Sequence, residues 1–370
     1  MIAAIHGGDH IEIAAAIDAG DPFPGGRGFA GRLADGRIVR DVLGRYPVFI
    51  DDKTWSFDPT ELTRPRSLGP GVVHRNGHER IWARLPSAEL YESTTVAEDA
   101  VREALHASLT DLAGSSVAVA FSGGVDSSVV ARGVGGSLYA VGFADSRDLA
   151  GAKSSAATLS EDVTVIELGH DHIRRAARVV VQATGYLDAM NVSIAIPLYL
   201  VAKRAHTDGF DVLALGQGAD ELFGGYEKIA QPDHRVVATT VRGARNESLH
   251  RLADQLERDV LTIRAAGIEP VFPLLDDRVV DAAIPLDDHH LVRDGIRKVT
   301  FRRAATDFVP ATVADRPKTA IQYGSLVARE LDRLARQAGF KRNLGNHVEQ
   351  YLRTLVDSST IPTIDRGSKP

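Results

Sequence analysis

The stretch VAVAFSGGVDSSVVARGV, residues 117–134, leads an apolar run into two glycines, an aspartate and two serines, and then into a segment with helical spacing. A strand followed by a helix brings consecutive backbone N–H groups and the positive end of a helix dipole to one place, which attracts a polyanion. Glycine permits the close approach that such a loop needs. The pattern also fits a plain strand-to-helix turn with a serine cap, so the stretch alone leaves both interpretations open.

The loop is not of the Walker type, which places a lysine before its serine or threonine, because Asp126 and Ser127 occupy that region. A carboxylate beside bound phosphate repels it unless a cation stands between the two. Asp126 therefore predicts Mg²⁺ at this site if phosphate binds here.

The chain after this loop alternates strands with helices. Predicted strands lie at 117–121, 138–143, 163–168 and 212–216, and predicted helices near 95–112, 126–134, 149–159, 171–184 and 193–207. Such alternation is typical of an α/β fold with a doubly wound parallel sheet, here with a mostly helical C-terminal part after residue 230.

The N-terminal part has a different composition: it is rich in glycine and proline, and its apolar runs are short and alternating. These features indicate hairpins and a small β-rich domain. The sequence thus predicts a β-rich domain over residues 1–92, an α/β domain over 93–355 and a flexible polar tail over 356–370.

Composition narrows the function classes. The 370 residues are 44% apolar, carry a net charge of -6 and include no cysteine, which excludes disulfides, thiolate zinc sites and cysteine nucleophiles. Basic residues do not cluster with aromatic ones, so no nucleic-acid partner is expected. The N-terminus lacks the features of a secretory signal, and the most apolar run, SIAIPLYLVA, is short and contains Pro197, so we expect no membrane span and a cytoplasmic location.

A second polar loop follows the last predicted strand in the run VLALGQGADELFGGY, residues 212–226. Asp220 and Glu221 stand there between glycines. Because ligands bind at the carboxyl ends of parallel strands, a carboxylate from this loop opposite Asp126 would complete the oxygen ligands of Mg²⁺. A solvated acidic loop is the alternative interpretation.

Four blocks together resemble one family. The S-G-G-x-D-S-S loop resembles the pyrophosphate loop of the ATP pyrophosphatases, whose fold is adenine nucleotide alpha-hydrolase-like. Residues 191–229 resemble the asparagine synthetase signature G-E-G-x-D-E-L-F-G-G-Y, and the blocks at 267–285 and 295–325 are similar to its E-x-R-x-P-F-L-D and R-x-K-x-x-x-Q-x-G-S elements. We therefore expect a member of the asparagine synthetase family over about residues 95–330, with β-lactam synthetase as a near relative.

This resemblance implies a ligase that adenylates a substrate carboxylate with ATP and Mg²⁺, releases pyrophosphate and transfers the acyl group to an amine. Lys318 would set a positive charge against the α-phosphate and the departing pyrophosphate, and Asp126 and Asp220 would hold Mg²⁺. The remaining implied nucleotide-binding residues are Ser122, Gly123, Gly124, Val125, Ser127 and Ser128 in the loop, Val141, Gly142 and Phe143 beside the adenosine, and Leu215, Gly216 and Glu221 behind the nucleotide.

The sequence departs from the family pattern in the half-reaction that supplies nitrogen. Residues 36–62 resemble a class II glutamine amidotransferase domain, but the cysteine nucleophile of that domain is absent and position 2 is Ile, so a structural remnant is expected. Gln217 stands where the synthetases carry Glu and cannot accept a proton, although the resemblance assigns it to the handling of the amine. Val271 stands where the family has Arg.

Three functions remain open. The first is an amide ligase with aspartate and ammonia as default substrates, fed by solution ammonia or by a separate glutaminase. The second is a related amidating or cyclising ligase on another small acid. The third is a nucleotide-binding regulatory protein without turnover. The runs HGGDH and DDHH, at 6–10 and 287–290, lack metal-ligand spacing on a defined element and do not predict a metal site.

Overall fold

The computed structural model describes residues 3–52, 54–230, 240–316, 326–342 and 345–367. Its strands are β1 (Ala4–His6), β2 (Ala30–Arg32), β3 (Ile38–Arg40), β4 (Phe49–Ile50), β5 (Trp55–Ser56), β6 (Arg66–Ser67), β7 (Val72–Arg75), β8 (His78–Ile81), β9 (Ala118–Ala120), β10 (Ser137–Gly142), β11 (Val163–Glu167), β12 (Val212–Ala214), β13 (Glu269–Val271), β14 (Val292–Arg293) and β15 (Ile296–Arg297).

Its helices are α1 (His10–Ala19), α2 (Thr94–Thr110), α3 (Val125–Val134), α4 (Arg147–Leu159), α5 (His170–Thr184), α6 (Ala189–Thr207), α7 (Ala219–Phe223), α8 (Glu227–Ala230), α9 (Val241–His250), α10 (Leu252–Arg264), α11 (Asp277–Ala283), α12 (Asp288–Leu291), α13 (Val299–Ala305), α14 (Ala311–Ala314), α15 (Val327–Gln337) and α16 (His347–Leu355). Short 3₁₀ turns lie at Pro59–Glu61, Pro273–Leu275 and Ser358–Thr360.

The central sheet is parallel, and its strand order is β11-β10-β9-β12-β13. β10 pairs with one side of β9, and β12 pairs with the other side. The order therefore reverses between β9 and β12, and a crevice opens there at the carboxyl ends of the strands. The expected doubly wound α/β fold is confirmed, and each strand and helix predicted between residues 95 and 216 is present within a few residues of its expected bounds.

One strand of the central sheet, at its edge, was missed. β13 has Pro270 at its middle, and a proline, which cannot donate a hydrogen bond, argues against a strand inside a sheet. The strand is tolerated because β13 lies at the edge and pairs only with β12.

The N-terminal part forms a five-stranded antiparallel sheet, β1-β2-β3-β7-β8, and a three-stranded sheet, β5-β4-β6. The β-rich prediction is thus confirmed, with one element that it missed. Helix α1 begins at the N-cap Asp9, whose carboxylate accepts hydrogen bonds from the N–H groups of Ile11 and Glu12, and it buries Ile13 and Ile17.

The two parts are joined by a buried ion-pair cluster around Arg45. Its guanidinium lies 2.9 Å from Asp41 Oδ1 and 2.7 Å from Asp277 Oδ1, and it donates a third hydrogen bond to the carbonyl of Leu275. All three charged side chains are buried. Because Asp277 belongs to α11, this cluster fixes the N-terminal sheet to the segment that follows β13.

The tail was expected to be flexible, but its described part is packed. Asp365 exchanges backbone hydrogen bonds with Pro65 and Ser67 beside β6. Arg366 donates to the buried Glu257 at 2.8 Å and lies 4.0 Å from the ring of Tyr186. A charged side chain that finds a buried carboxylate and an aromatic face orders the backbone that carries it.

Among the described helices, none is by itself long and apolar enough to cross a membrane; α5 and α6 pass that test only together, as a pair bent by 109°.

We expect Arg45→Met to lower the free energy of unfolding by about 3–5 kcal/mol, because it leaves the buried carboxylates of Asp41 and Asp277 without their cation. Urea unfolding followed by circular dichroism measures this change. Arg64→Met is the control, since its ion pair with Asp52 is exposed on both sides and its loss should change little. Equal stability of the two variants would contradict the assignment of Arg45 as the joint between the two parts.

Candidate active site

The loop between β9 and α3 is closed by its own serines. The hydroxyl oxygens of Ser122 and Ser127 lie 3.1 Å apart, and Ser127 Oγ also accepts a hydrogen bond from the N–H of Ser122 and lies 3.2 Å from the carbonyl of Gly124. Helix α3 starts after the N-cap Gly124, which provides no side-chain hydrogen bond to the first turn. Several N–H groups of that turn are therefore available to an anion, as the sequence predicts for a phosphate loop.

Gly123 presses this loop against helix α4. Its φ is 74°, and a Cβ there would lie 2.7 Å from the Cα of Ala152. The hydroxyl of Ser155 donates to the carbonyl of Gly123 at 2.7 Å. A larger residue at 123 would push the loop off α4, so the glycine is required by contact as well as by dihedral angle.

The second loop, after β12, lies directly beside the first. A Cβ on Gly216 would be 3.1 Å from the Cβ of Asp126, which shows how closely the two strand ends approach. Leu215 is buried and its N–H donates to the carbonyl of Val271 on β13. Asp220 lies in the first turn of α7 and faces the same crevice as Asp126.

A lysine that sequence reasoning did not assign, Lys298, joins the two loops. Its Nζ lies 2.6 Å from Asp126 Oδ1, 2.7 Å from Asp126 Oδ2 and 2.8 Å from Asp220 Oδ1. Burial alone would lower the pKa of this ammonium, but the two carboxylates outweigh it and hold the pKa above its ordinary value. Lys298 is therefore a charged lysine with its side chain 2% exposed.

Gly225 makes room for this ion triad. A Cβ at this position would lie 1.8 Å from Asp220 Oδ1 and 2.2 Å from Lys298 Cε. The second glycine of the sequence L-F-G-G-Y is thus required by the side chains that it faces. A glycine at position 225 is therefore the feature of the nearby sequence that indicates another side chain beside Asp220.

The carboxylates of Asp126 and Asp220 converge on one point that already accommodates a cation, the Lys298 ammonium. Carboxylate oxygens are also the ligands that Mg²⁺ prefers. The donor types thus fit a divalent ion, but an ion bound to Asp126 and Asp220 would have to share their oxygens with the Lys298 ammonium, which lies 2.6–2.8 Å from them.

Three other predicted residues are buried, two in the phosphate-type loop and one in the loop after β12. Ser128 and Val125 are buried in the first turn of α3, and Glu221 is buried with its carboxylate accepting a hydrogen bond from the hydroxyl of Tyr226. The structure thus places Glu221 in a side-chain cluster behind the site. Burial raises the pKa of Tyr226 and the nearby Glu221 raises it further, so this phenol stays protonated and donates.

The predicted adenosine side lies at the carboxyl end of β10. Val141 and Phe143 are half-buried there, and a Cβ on Gly142 would meet Ser146 Oγ at 2.5 Å. Asp148, which sequence reasoning missed, stands in the first turn of the next helix with its Oδ2 buried and without a hydrogen-bond partner among the described residues. Burial raises the pKa of this carboxyl to about 6.

Gln217 lies in the loop after β12 and donates from Nε2 to Asp259 Oδ2 at 3.3 Å. Val271 is buried on the neighbouring strand. Lys318 lies outside the described residues. The described residue closest to it in sequence, Arg316, donates to the carbonyl of Gly151 at 3.0 Å and to the hydroxyl of Ser155 on α4.

The two polar runs from which no metal site was predicted differ in the structure: DDHH brings its ligand atoms close enough together to hold a metal ion, whereas His6 of HGGDH packs against an aromatic ring. Asp287, His289 and His290 gather their ligand atoms within 4.8 Å of one another, with Asp287 serving as the N-cap of α12. His6 packs edge-on against Tyr46 with ring centroids 4.1 Å apart, and burial lowers its pKa to about 4.

We expect Lys298→Met to lower the free energy of unfolding at pH 7.5 by about 3–5 kcal/mol, because it removes the cation between two carboxylates. MgCl₂ should narrow this deficit in stability by supplying another cation between the two carboxylates. Thermal unfolding with and without MgCl₂ measures both effects. Lys203→Met on the exposed face of α6 is the control, and a Lys298→Met protein as stable as that control would refute the role of the triad.

Comparisons with known proteins agree on one family. A family model described as asparagine synthase matches residues 97–264 and 242–361. A putative glutamine-hydrolyzing asparagine synthetase 1 of Methanocaldococcus jannaschii is 27% identical over 278 residues, 65% of this chain and 51% of that protein. The glutamine-hydrolyzing asparagine synthetase of Asparagus officinalis is 28% identical over 337 residues, 77% of this chain and 54% of its own length. The chain thus spans about half the length of these relatives, and it belongs to the asparagine synthase family.

Proposed function

We propose that this protein is an ATP-dependent ligase that forms AMP and pyrophosphate, adenylates a substrate carboxylate and transfers the acyl group to an amine. The observation that carries the proposal is the placement of Asp126, Asp220 and Lys298 at the reversal point of the sheet, beside a loop with available N–H groups. Family membership supports ATP as the nucleotide.

In this proposal the triphosphate lies on the loop from Ser122 to Ser128, with the β- and γ-phosphates at the N-terminus of α3. Adenosine lies against Val141, Gly142 and Phe143, at the carboxyl end of β10. Asp126 and Asp220 hold Mg²⁺, which neutralises charge on the triphosphate.

Lysines supply the charge that adenylation needs. As the substrate carboxylate oxygen attacks the α-phosphorus, the bond to the pyrophosphate oxygen breaks and negative charge collects on the departing group. Lys298 holds a permanent positive charge at the crevice, and Lys318 supplies a second one from the segment that follows Arg316. A cation fixed before the reaction stabilises that charge without reorganising.

The nitrogen donor is an amine that reaches the acyl adenylate directly. The sequence contains no cysteine for a thiolate glutaminase. We propose ammonia, from solution or from a separate glutaminase, as the default nucleophile and aspartate as the default acid. In this proposal the N-terminal part, which we assign to residues 1–92, resembles an amidotransferase domain but has only a structural role. It stabilises the 93–355 domain through the ion pair of Arg45 with Asp277.

The test is pyrophosphate release from ATP and Mg²⁺ in the presence of ammonium and each amino acid in turn. We expect release with aspartate or another small acid, reduced at least about 100-fold by Asp126→Asn and by Lys318→Ala because each removes transition-state charge stabilisation. Asp52→Asn, which alters an exposed carboxylate of the N-terminal part, is the control.

Release that is equal in all variants would contradict the assigned site. Binding of ATP without release for any acid would instead identify a nucleotide-binding regulatory protein without turnover. Release with an acid that carries its own amine, in the absence of ammonium, would identify a cyclising ligase.

A further inference from the structure

Helix α12 begins at a carboxylate that faces two imidazole rings. Asp287 is the N-cap, and its Oδ1 accepts hydrogen bonds from the backbone N–H groups of His289 at 3.0 Å and His290 at 3.2 Å. The same oxygen lies 2.6 Å from Nδ1 of His289 and 3.0 Å from Nδ1 of His290. Four nitrogen atoms thus lie within hydrogen-bond distance of one carboxylate oxygen.

A helix cap accounts for only half of these contacts. The lone pairs of Oδ1 accept the two backbone N–H groups, which is all that an N-cap requires of its side chain. The two ring nitrogens then compete for lone pairs that are already in use. Capping therefore does not explain why both rings converge on the carboxylate.

The ring of His290 is held from one side only. Its side chain is 1% exposed, and its Nε2 has no hydrogen-bond partner among the described residues. On the other side, Nδ1 accepts a long hydrogen bond of 3.4 Å from the backbone N–H of Asp287. Nδ1 is therefore the nitrogen with the free lone pair, and this lone pair lies 3.0 Å from the carboxylate oxygen of Asp287. Two acceptors at this distance repel each other unless a cation lies between them.

His289 completes the group on the side that faces solvent. Its ring lies against the ring of His290, with centroids 4.0 Å apart and planes 36° apart, and its side chain is half exposed. One ligand atom from each of Asp287, His289 and His290 lies within 4.8 Å of the other two. The group is therefore compact, and an ion reaches it from solvent past His289.

The separations of these atoms suit a small divalent ion. Zn²⁺ binds imidazole nitrogen and carboxylate oxygen at about 2.0–2.2 Å, so neighbouring ligand atoms of a tetrahedral site lie about 3.3 Å apart. The present distances of 2.6 and 3.0 Å need to open by less than about 1 Å to admit the ion. Imidazole ligands favour Zn²⁺, Ni²⁺ and Cu²⁺, whereas sites built from oxygen alone favour Mg²⁺.

We propose that Asp287, His289 and His290 form a binding site for a divalent transition metal of the Zn²⁺ class, with water in the remaining position. The site is separate from Asp126 and Asp220, and the inference does not depend on the proposed ligase function. The sequence did not predict it because the two histidines are adjacent, and only the single turn of α12 brings both rings to the carboxylate of its own N-cap.

A metal at this place stabilises the contacts of α12 with the elements around it. Asp288 Oδ1 accepts a hydrogen bond from the N–H of Arg242 on α9 at 2.7 Å, and Thr300 on α13 donates from Oγ1 to the carbonyl of His290 at 3.0 Å. Thr300 follows Lys298 by two residues. The metal therefore supports the part of the fold that carries the crevice lysine, and its effect is measurable as stability.

The experiment is a titration of the native protein, first stripped of metal with a chelator, with ZnCl₂. We expect calorimetry to show one Zn²⁺ bound per chain, and the melting temperature to rise by about 2 °C or more at saturation, because an ion that binds only the folded state stabilises it. MgCl₂ in about 100-fold excess over Zn²⁺ should not displace it, since the imidazole ligands select against Mg²⁺.

Two variants separate the metal site from the helix cap. Asp287→Asn keeps a side chain that caps the helix but removes the negative charge, and His289→Ala removes a half-exposed ring. We expect each to weaken Zn²⁺ binding at least about 10-fold, with a melting temperature in the absence of Zn²⁺ within about 2 °C of native. The control is His78→Ala, which removes an exposed histidine of β8 and should bind Zn²⁺ like the native protein.

Two outcomes would overturn the proposal. One is a native protein that binds no Zn²⁺ at about 100 µM. The other is binding by Asp287→Asn and His289→Ala that is as tight as binding by His78→Ala, which would assign the Zn²⁺ to other surface groups. None of these measurements uses ATP or an acid substrate, so a failure of the ligase function leaves their result unchanged.

Discussion

The ion triad of Lys298, Asp126 and Asp220 is the interaction on which the rest of the α/β part depends. It joins the loop after β9, the loop after β12 and the segment after β15, each contributed by a separate stretch of chain. Gly216 and Gly225 have the same role beside the triad, because each leaves the space into which these charged side chains fit. Buried charges are tolerated here because every one has a partner of opposite sign.

The same physical rule governs the contact between the two parts of the chain. Arg45 brings a buried positive charge from the N-terminal part to Asp277, and the pair of Arg258 with Asp259 repeats the arrangement on α10. In each case a cation that never loses its proton compensates a carboxylate that burial would otherwise neutralise. The N-terminal part is therefore tied into the fold by charge.

The sequence predicted the parts of the site that are local. The loop from Ser122 to Ser128 and the turn around Asp220 are contiguous motifs, and the rule for parallel strands places their ends together. Lys298 was given no role, although it lies in the matched block at 295–325, because it meets Asp126 across 172 positions in the chain and a lysine is ordinarily exposed. Asp259 was missed for the same reason, since a charged residue in an amphipathic helix is ordinarily solvated. β13 was missed because Pro270 argues locally against a strand that only its edge position allows.

The packing of Asp365 and Arg366 decides when, during synthesis, the contacts between the two parts of the chain can all form. Asp365 bonds to the backbone on both sides of Arg66, near the start of the chain, while Arg366 reaches Glu257 and the carbonyl of Thr184 in the α/β part. During synthesis the N-terminal sheets emerge first, yet one neighbour of β6 is made some 300 residues later. Closing a loop of that length is slow compared with local pairing. The contacts of Asp365 and Arg366 can therefore form only after nearly all of this chain has been synthesised.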